Sequence, residues 1–162
     1  MFQLIKKPMV LWLLFAGTLA LTVVFRLISE HWNMTFLDAI ISPEQARAHL
    51  GNLSAEQVRV HIWTTAVVDV LYPIFYGGLF AGVALSSFRH FGLFLAIPSF
   101  LVIPVDIAEG LVQIYALLGI GDWLAAKLVL TPLKFGLFFM GLAISVYAWG
   151  RWLVQRLRGA NA

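Results

Sequence analysis

Residues 60–86 read VHIWTTAVVDVLYPIFYGGLFAGVALS, an apolar run that contains one acidic residue, Asp69. A helix needs about 20 apolar residues to cross the ~30 Å hydrocarbon core of a bilayer, so this run is long enough to span a membrane. An unpaired charge at mid-membrane costs ~2.5–3.5 kcal/mol on insertion scales, whereas a Leu or Phe returns only ~0.3–0.6 kcal/mol. Asp69 is therefore expected to face the interior of a helical bundle rather than lipid.

Three further apolar runs have similar lengths, and they cover residues 8–28, 92–118 and 123–150. Lys6 and Lys7 precede the first run as they would a signal peptide, but the run continues without a small-residue cleavage site, which predicts an uncleaved span. The fold class predicted is all-α: an integral membrane four-helix bundle, one transmembrane domain over residues 1–162, with an outer loop at 29–59.

The composition excludes most other classes of protein. Of the 162 residues, 61% are hydrophobic and 12% are charged, against roughly 45–50% and about 25% in soluble domains. The mean hydropathy is +0.89, and a soluble domain of this size could not bury so much apolar surface. An ordinary cytosolic enzyme and a nucleic-acid binder are therefore excluded. The absence of cysteine also excludes disulfide exchange and thiolate chemistry.

The basic residues predict an orientation. Most lie beside the ends of the apolar runs, where Lys and Arg mark the cytoplasmic side of a membrane protein. The side predicted to be cytoplasmic holds Lys6, Lys7, Arg89, Arg151, Arg156 and Arg158. Both termini are accordingly predicted to be cytoplasmic.

The outer loop carries helix signals. SPEQ at 42–45 supplies an N-cap, a proline at the first helical position and a capping glutamine, and Gly51 is expected to end the helix, which predicts a short amphipathic helix at 43–50. Ser54 and Gln57 form a second capping box, which opens the second span. The link before these signals is expected to lie along the membrane interface through Trp32, Met34, Phe36 and Leu37.

Polar residues follow helical stripes in the second and third runs. Intervals of three, four and seven residues place them on one face of each helix; the stripes are His61, Thr65, Asp69, Tyr72 and Tyr76, and Ser99, Asp106, Glu109 and Gln113. Folding the chain at Arg89 brings Asp69 level with Gly110. Lys134 reaches the same depth if the fourth helix begins near Trp123.

These positions predict one polar cluster of three carboxylates, one ammonium and two phenols. The candidate ligand-binding or polar-cluster residues are Asp69, Tyr72, Tyr76, Asp106, Glu109, Gln113 and Lys134, with Arg26 and Arg59 as caps at the outer rim. Crowded carboxylates at low dielectric cannot all stay ionised, so either one is protonated or a cationic ligand supplies the missing charge. The histidines have no ligand-like spacing, so no metal site and no cofactor are predicted.

Three motifs carry a resemblance. Ser42-Pro43-Glu44, Asp69-x-x-Tyr72-Pro73-x-x-Tyr76 and Pro104-x-Asp106-x-x-Glu109 resemble a group of small, mostly uncharacterised four-span bacterial inner-membrane proteins, over about residues 35–120, although Gly110 stands where that group often has Asn. The architecture is also similar to the EXPERA family of sterol isomerases and sigma-2-type receptors, with Asp69 and Pro73 as the alignable residues. This second resemblance implies binding of cationic amphiphiles or carbocation-like sterols against acidic side chains.

The sequence is compatible with several functions. The first is an intramembrane pocket, lined by carboxylates, for a small lipophilic or cationic ligand; the second is a structural or assembly subunit in which the polar stripes only join helices. The third is a lipid-modifying enzyme with isomerase-like acid–base chemistry. A proton or ion conduit is disfavoured, because no polar side chain continues the stripe between Tyr76 and Ser86. The partners expected are membrane lipids, the ligand, and a second copy or a membrane complex through small-residue pairs such as Gly78 and Gly82; no nucleic acid is expected.

Overall fold

Long apolar helices account for most of the chain. The computed structural model describes residues 2–88 and 90–159, so Arg89, which the orientation argument uses, lies outside the described residues. The helices are α1 (Phe2–Ile5), α2 (Pro8–His31), α3 (Pro43–Asn52), α4 (Ala55–Ser87), α5 (Gly92–Leu117) and α6 (Lys127–Gly159), with short 3-10 turns at Leu37–Ala39 and Leu124–Ala126. No strand occurs in the described residues, and α2, α4, α5 and the segment Leu124–Arg158 are long and apolar enough to cross a membrane. The all-α prediction is confirmed.

The capping signals position the loop helix and the second span. The Ser42 side chain accepts a hydrogen bond from the backbone N–H of Gln45, and Ser54 forms a complete capping box with Gln57. Helix α4 therefore begins at Ala55, five residues before the apolar run itself. Helix α3 continues through Gly51 to Asn52, beyond the predicted end at residue 50, because this glycine keeps a helical backbone and the chain turns extended only at Leu53.

A glycine in the left-handed region ends α5. Gly119 has φ of +68°, which a side chain at this position would strain. Its N–H donates to the carbonyl of Ala116, and the N–H of Ile120 donates to the carbonyl of Tyr115. These two bonds satisfy carbonyls at the helix end and turn the chain toward α6.

Helix α4 is the centre of the bundle. It packs against α2, α5 and α6, and α5 also packs against α6. Helix α2 packs mainly against α4. The structure describes all residues of α2, and none of them is buried. The short helix α1 also packs against α4, so α4 contacts every other long helix and the N-terminal turn.

Small residues allow close helix contacts within the bundle. A Cβ added at Gly77 of α4 would lie 2.8 Å from the backbone oxygen of Ser99 and 2.9 Å from Cγ1 of Ile103, both on α5. Gly82 lies against Leu11 of α2. These contacts explain two of the small residues of α4 by packing inside one chain.

We predict that Gly77→Ala lowers the free energy of unfolding by about 1–3 kcal/mol, because the added methyl group meets α5 backbone that cannot move aside cheaply. Gly136→Ala on α6 is the matched control, since nothing lies within 4 Å of its Cβ position; alanine there is expected to be neutral or stabilising by up to about 1 kcal/mol. Unfolding in detergent followed by circular dichroism measures both. Equal effects of the two substitutions would contradict the close α4–α5 approach.

Candidate functional site

Lys134 of α6 lies at the centre of a buried group of charged side chains. Its Nζ is 2.8 Å from Oδ1 of Asp38, 3.0 Å from Oδ1 of Asp106 and 2.6 Å from Oε2 of Glu109. A lysine inside a span is tolerated when carboxylates surround it, since each ion pair offsets part of the cost of removing the charges from water. The ammonium therefore joins the loop, α5 and α6 at a single point.

Glu109 has a second set of partners on α6. Its Oε1 is bound by the ammonium of Lys127 and by the hydroxyl of Thr131, and all three residues are fully buried. Lys127 was not predicted as a member of the cluster, because a fourth helix beginning near Trp123 would carry it close to the surface. The 3-10 turn Leu124–Ala126 instead brings Lys127 into the first turn of α6, facing α5. The signal in the sequence was the spacing of Lys127, Thr131 and Lys134, which places all three on one helical face.

Asp38 of the loop is the other member that the sequence analysis missed. Its Oδ1 accepts hydrogen bonds from Nζ of Lys134 and, at 3.1 Å, from Nε2 of Gln113. The adjacent Leu37 is fully buried, and its backbone N–H donates to Nε2 of His61 at 3.3 Å. Because Lys134 lies seven residues inside α6, or ~10 Å at 1.5 Å per residue, the 3-10 turn enters the bundle. The expectation that this link lies along the interface is wrong for Met34 and Leu37, which are buried.

The environment of Asp38 favours its charged form. Partial burial acts to raise its pKa, but the positive charges of Lys134 and Lys127 and the hydrogen bonds from Lys134 and Gln113 outweigh this effect. The pKa of Asp38 consequently lies below its ordinary value of 3.8. Asp38 is a loop carboxylate that remains ionised at neutral pH and holds the loop against the bundle.

The two tyrosines have different partners. The Tyr76 hydroxyl donates to Oδ2 of Asp106 at 2.7 Å, so Asp106 is bound by α4 and by Lys134 at the same time. The Tyr72 hydroxyl lies 3.1 Å from Oγ1 of Thr22 on α2. The two tyrosine rings meet edge to face with centroids 5.1 Å apart. Tyr72 thus joins α2 to α4, beside the charged group.

Asp69 is buried without a partner. Only 7% of its surface is exposed, and it forms no hydrogen bond or ion pair with the described residues. One of its carboxylate oxygens lies within 4.8 Å of oxygens of both Asp38 and Asp106. Gly110 lies beside it as expected, since a Cβ there would be 3.5 Å from Oδ2 of Asp69.

An irregular turn of α4 carries Asp69. Residues Thr64–Asp69 form a π-helical segment, which the periodicity of the sequence did not reveal. Pro73 lies four residues after Asp69, so it has no N–H to donate to the Asp69 carbonyl and its ring crowds that carbonyl. Such wider turns are frequent at functional sites. The segment ends at the one carboxylate of the cluster that lacks a counter-charge.

A cavity of about 440 Å³ opens next to this carboxylate. It is bounded by α2, α4, α5, α6 and the loop, and its charged lining residues are Asp38, Asp69, Asp106 and Lys134. The remainder of its wall is largely aromatic, with Phe25, Phe36, Tyr72, Tyr76, Phe135 and Phe138. Charged groups and aromatic rings therefore face the same space.

The structure brings most of the predicted cluster together. Asp106 and Glu109 each contact Lys134, Tyr76 donates to Asp106, and Gln113 reaches the group through Asp38. Asp69 lies beside the group, and Tyr72 lines its cavity. The rim caps are wrong: Arg26 pairs with Glu30 at 2.7 Å on an exposed face, and Arg59 is exposed.

Asp38, Asp69 and Asp106 are the described residues whose geometry suits a metal ion. Their oxygen atoms lie close enough to share a cation, and carboxylates are ligands that hard cations prefer. The Lys134 ammonium already contacts two of the three, however, and an ion bound there would have to displace it or share its partners. The histidines contribute no ligand to this group.

Glu109→Gln is expected to lower the free energy of unfolding by about 3–5 kcal/mol, because it leaves Lys127 buried without an anionic partner. Glu30→Gln is the control: it breaks an exposed ion pair with Arg26 and should change the free energy of unfolding little. Unfolding in detergent measures the difference. A Glu109→Gln variant as stable as the control would show that the buried pairs contribute nothing net.

The Asp38→Asn substitution is expected to lower the free energy of unfolding relative to wild type by about 1.5–3 kcal/mol at neutral pH, the range for a hydrogen bond to a charged group. Since the folded pKa of Asp38 lies below 3.8, this difference is complete above the unfolded pKa and is lost as the pH falls through the folded pKa. Unfolding of both proteins between about pH 3 and 7 tests the sign. A difference that grows on acidification would contradict the Asp38–Lys134 pairing.

Comparisons of the chain with protein-family models, with curated proteins and with solved structures find no match. The geometry itself shows an all-α chain with four helices suited to cross a membrane. Between these helices lies a buried group of four carboxylates and two lysines, with a cavity beside its unpaired member.

Proposed function

We propose that this integral membrane protein binds a small lipophilic cation in the carboxylate-lined cavity between its helices. The observation that carries the proposal is Asp69, which is buried in the cavity wall and has no hydrogen bond or ion pair with the described residues. A buried carboxylate without a partner is costly, so it needs a proton or a positive charge. A cation in the cavity would supply that charge.

The charge balance of the cluster supports a cationic ligand. Four carboxylates (Asp38, Asp69, Asp106 and Glu109) face two ammonium groups (Lys127 and Lys134), which leaves a formal charge of −2 when all are ionised. The lysines are bound by three of the acids. These three acids and two lysines sum to −1, and the unpaired Asp69 carries the other negative charge on the side of the cluster that faces the cavity.

The aromatic wall supports a cation that carries apolar substituents. Ring faces attract cations, and cages of aromatic rings recognise substituted ammonium groups. Tyr72 and Tyr76 lie beside the acids, and Phe25 and Phe138 extend the apolar lining. A bare metal ion has no apolar surface to bury against these rings, whereas a lipophilic amine has.

The ion pairs also favour a structural role, the second candidate. The contacts of Lys134 with Asp38, Asp106 and Glu109 join three segments of the chain, as interhelical polar contacts do in an assembly subunit. That role does not account for Asp69, which forms no hydrogen bond or ion pair with another described segment, or for the cavity beside it. Acid–base chemistry on a lipid-like substrate is supported by one feature, the different surroundings of the neighbouring Asp69 and Asp106.

The proposed location is a bacterial inner membrane, with both termini in the cytoplasm. The end of the bundle that holds α3 and the 3-10 turns would then face outward. Lys6 and Lys7 at one terminus and Arg151, Arg156 and Arg158 at the other support this orientation.

Two probes of matched shape test the ligand proposal: a phenylpropyl trimethylammonium ion and its uncharged carbon isostere, each titrated against the purified protein by native mass spectrometry. Wild type is expected to prefer the cation, and Asp69→Asn to weaken binding of the cation at least about tenfold, since removing one partner of a buried charge pair costs more than ~1.4 kcal/mol. Binding of the neutral probe should change little.

Glu56→Gln is the matched control, because it also neutralises one acid of α4 but lies at an exposed position in the first turn. It should leave both affinities unchanged. Equal affinity of wild type for the two probes, or cation binding unaffected by Asp69→Asn, would contradict the proposal. A co-purifying membrane protein that binds independently of Asp69 would favour the structural role.

A further inference from the structure

A second cavity lies at the other end of the same helices. It measures about 450 Å³ and is bounded by α2, α4 and α6, three of the helices that bound the first cavity. We call the first the loop-end cavity and the second the terminal-end cavity, since the second lies near the chain termini and is lined by Pro8 of α2 and Trp152 of α6.

One stripe of α4 lines both cavities. Its residues follow one another by three or four positions, which keeps them on one helical face; they are Asp69, Tyr72, Tyr76, Leu79, Val83 and Ser86. Tyr76 of the loop-end cavity and Leu79 of the terminal-end cavity are three residues apart, or ~4.5 Å along the axis. From Asp69 to Ser86 the stripe extends ~25 Å, close to the ~30 Å thickness of a hydrocarbon core.

This stripe is only partly exposed: Tyr76 and Val83 are buried, although each lines one of the two cavities. Helices α2 and α6 flank it and each packs against α4, but within the described residues α2 has no extensive contact with α6. Both cavities lie on the side of α4 that carries the stripe, between α2 and α6, and we call this side of the helix the groove.

The chemistry of the lining changes along the groove. The loop-end cavity has three carboxylates and an ammonium. The terminal-end cavity has no charged lining residue among those described: apart from Ser86 and Ser87 its wall is apolar, with Leu11, Trp12, Val83 and Trp149 as examples. A molecule that matches the whole groove is therefore charged at one end and apolar along the rest of its length.

We propose that the two cavities form one elongated site, and that its ligand is a long-chain amphiphile whose ammonium head lies at Asp69 and whose hydrocarbon chain follows the α4 stripe into the terminal-end cavity. This inference rests on the proposed function, because it takes the cation at Asp69 from there and adds the chain. Charge complementarity selects the head, and the largely apolar lining of the terminal-end cavity selects a chain rather than a compact ligand. Leu79 is the residue that the chain must pass.

Two alkyl trimethylammonium probes test the inference, one with a short and one with a long chain, each with a photoreactive diazirine at the chain end. After irradiation of the purified protein, mass spectrometry locates the labelled residues. The short probe is expected to label the loop-end cavity, at residues such as Phe25 and Phe138, and the long probe the terminal-end cavity, at Leu11, Val83 or Trp149. Asp69→Asn should reduce labelling by both probes at least about tenfold.

Leu79→Trp is designed to block the chain, since Leu79 lines the terminal-end cavity and not the loop-end cavity. It should reduce long-probe labelling of that cavity at least about tenfold, while retained labelling by the short probe reports a folded protein. Val146→Trp is the matched control on α6, where the side chain is 63% exposed and lines neither cavity. It should change neither result.

The outcomes separate the two proposals. If Asp69→Asn reduces labelling by the short probe but the long probe labels exposed positions such as Phe139 and Val146, the proposed function stands and the elongated site is wrong. The same holds if the terminal-end cavity is labelled equally in the Asp69→Asn variant, because it then holds ordinary membrane chains only. If neither probe depends on Asp69, the proposed function itself fails.

Discussion

The requirement that buried charges be neutralised determines the arrangement of this bundle. Lys134 lies two turns inside α6, and its ammonium contacts carboxylates from the loop and from α5. Transferring any of these charged groups out of water costs free energy. Ion pairing offsets that desolvation cost only when the groups lie at hydrogen-bond distance from one another. The position of the loop, the start of α6 and the facing sides of α5 and α6 all follow from this condition.

The loop is part of the bundle for the same reason. Non-helical backbone is tolerated at membrane depth only where it is buried in protein or lines a cavity. The turn Leu37–Ala39 meets both conditions, because Leu37 is buried and its N–H is bound by His61, while Asp38 faces the cavity. Asp38 thereby supplies a carboxylate to the cluster from outside the spanning helices.

Helix α2 gives the molecule its asymmetry. It packs mainly against α4 and buries none of its own residues, whereas α4, α5 and α6 enclose one another. The charged group consequently lies between these three helices and the loop, and the groove lies beside α2. The residues that stabilise the core and those that line the ligand cavity are therefore different. Glu109 and Lys127 are buried in the core, while Asp69 and Tyr72 line the cavity.

The sequence by itself determined the local features of this protein. The four spans follow from the length of the apolar runs, the starts of α3 and α4 from capping residues, and the inward polar stripes from helical spacing, because each of these depends on neighbours along one helix. Only the tertiary structure decided which charges meet. Asp38 and Lys127 belong to the cluster, whereas Arg26 pairs with Glu30. The sequence did not predict these pairs because contacts between segments depend on where each helix begins and how the loop folds. The groove along α4 likewise depends on the separation of α2 from α6, which no spacing within one helix encodes.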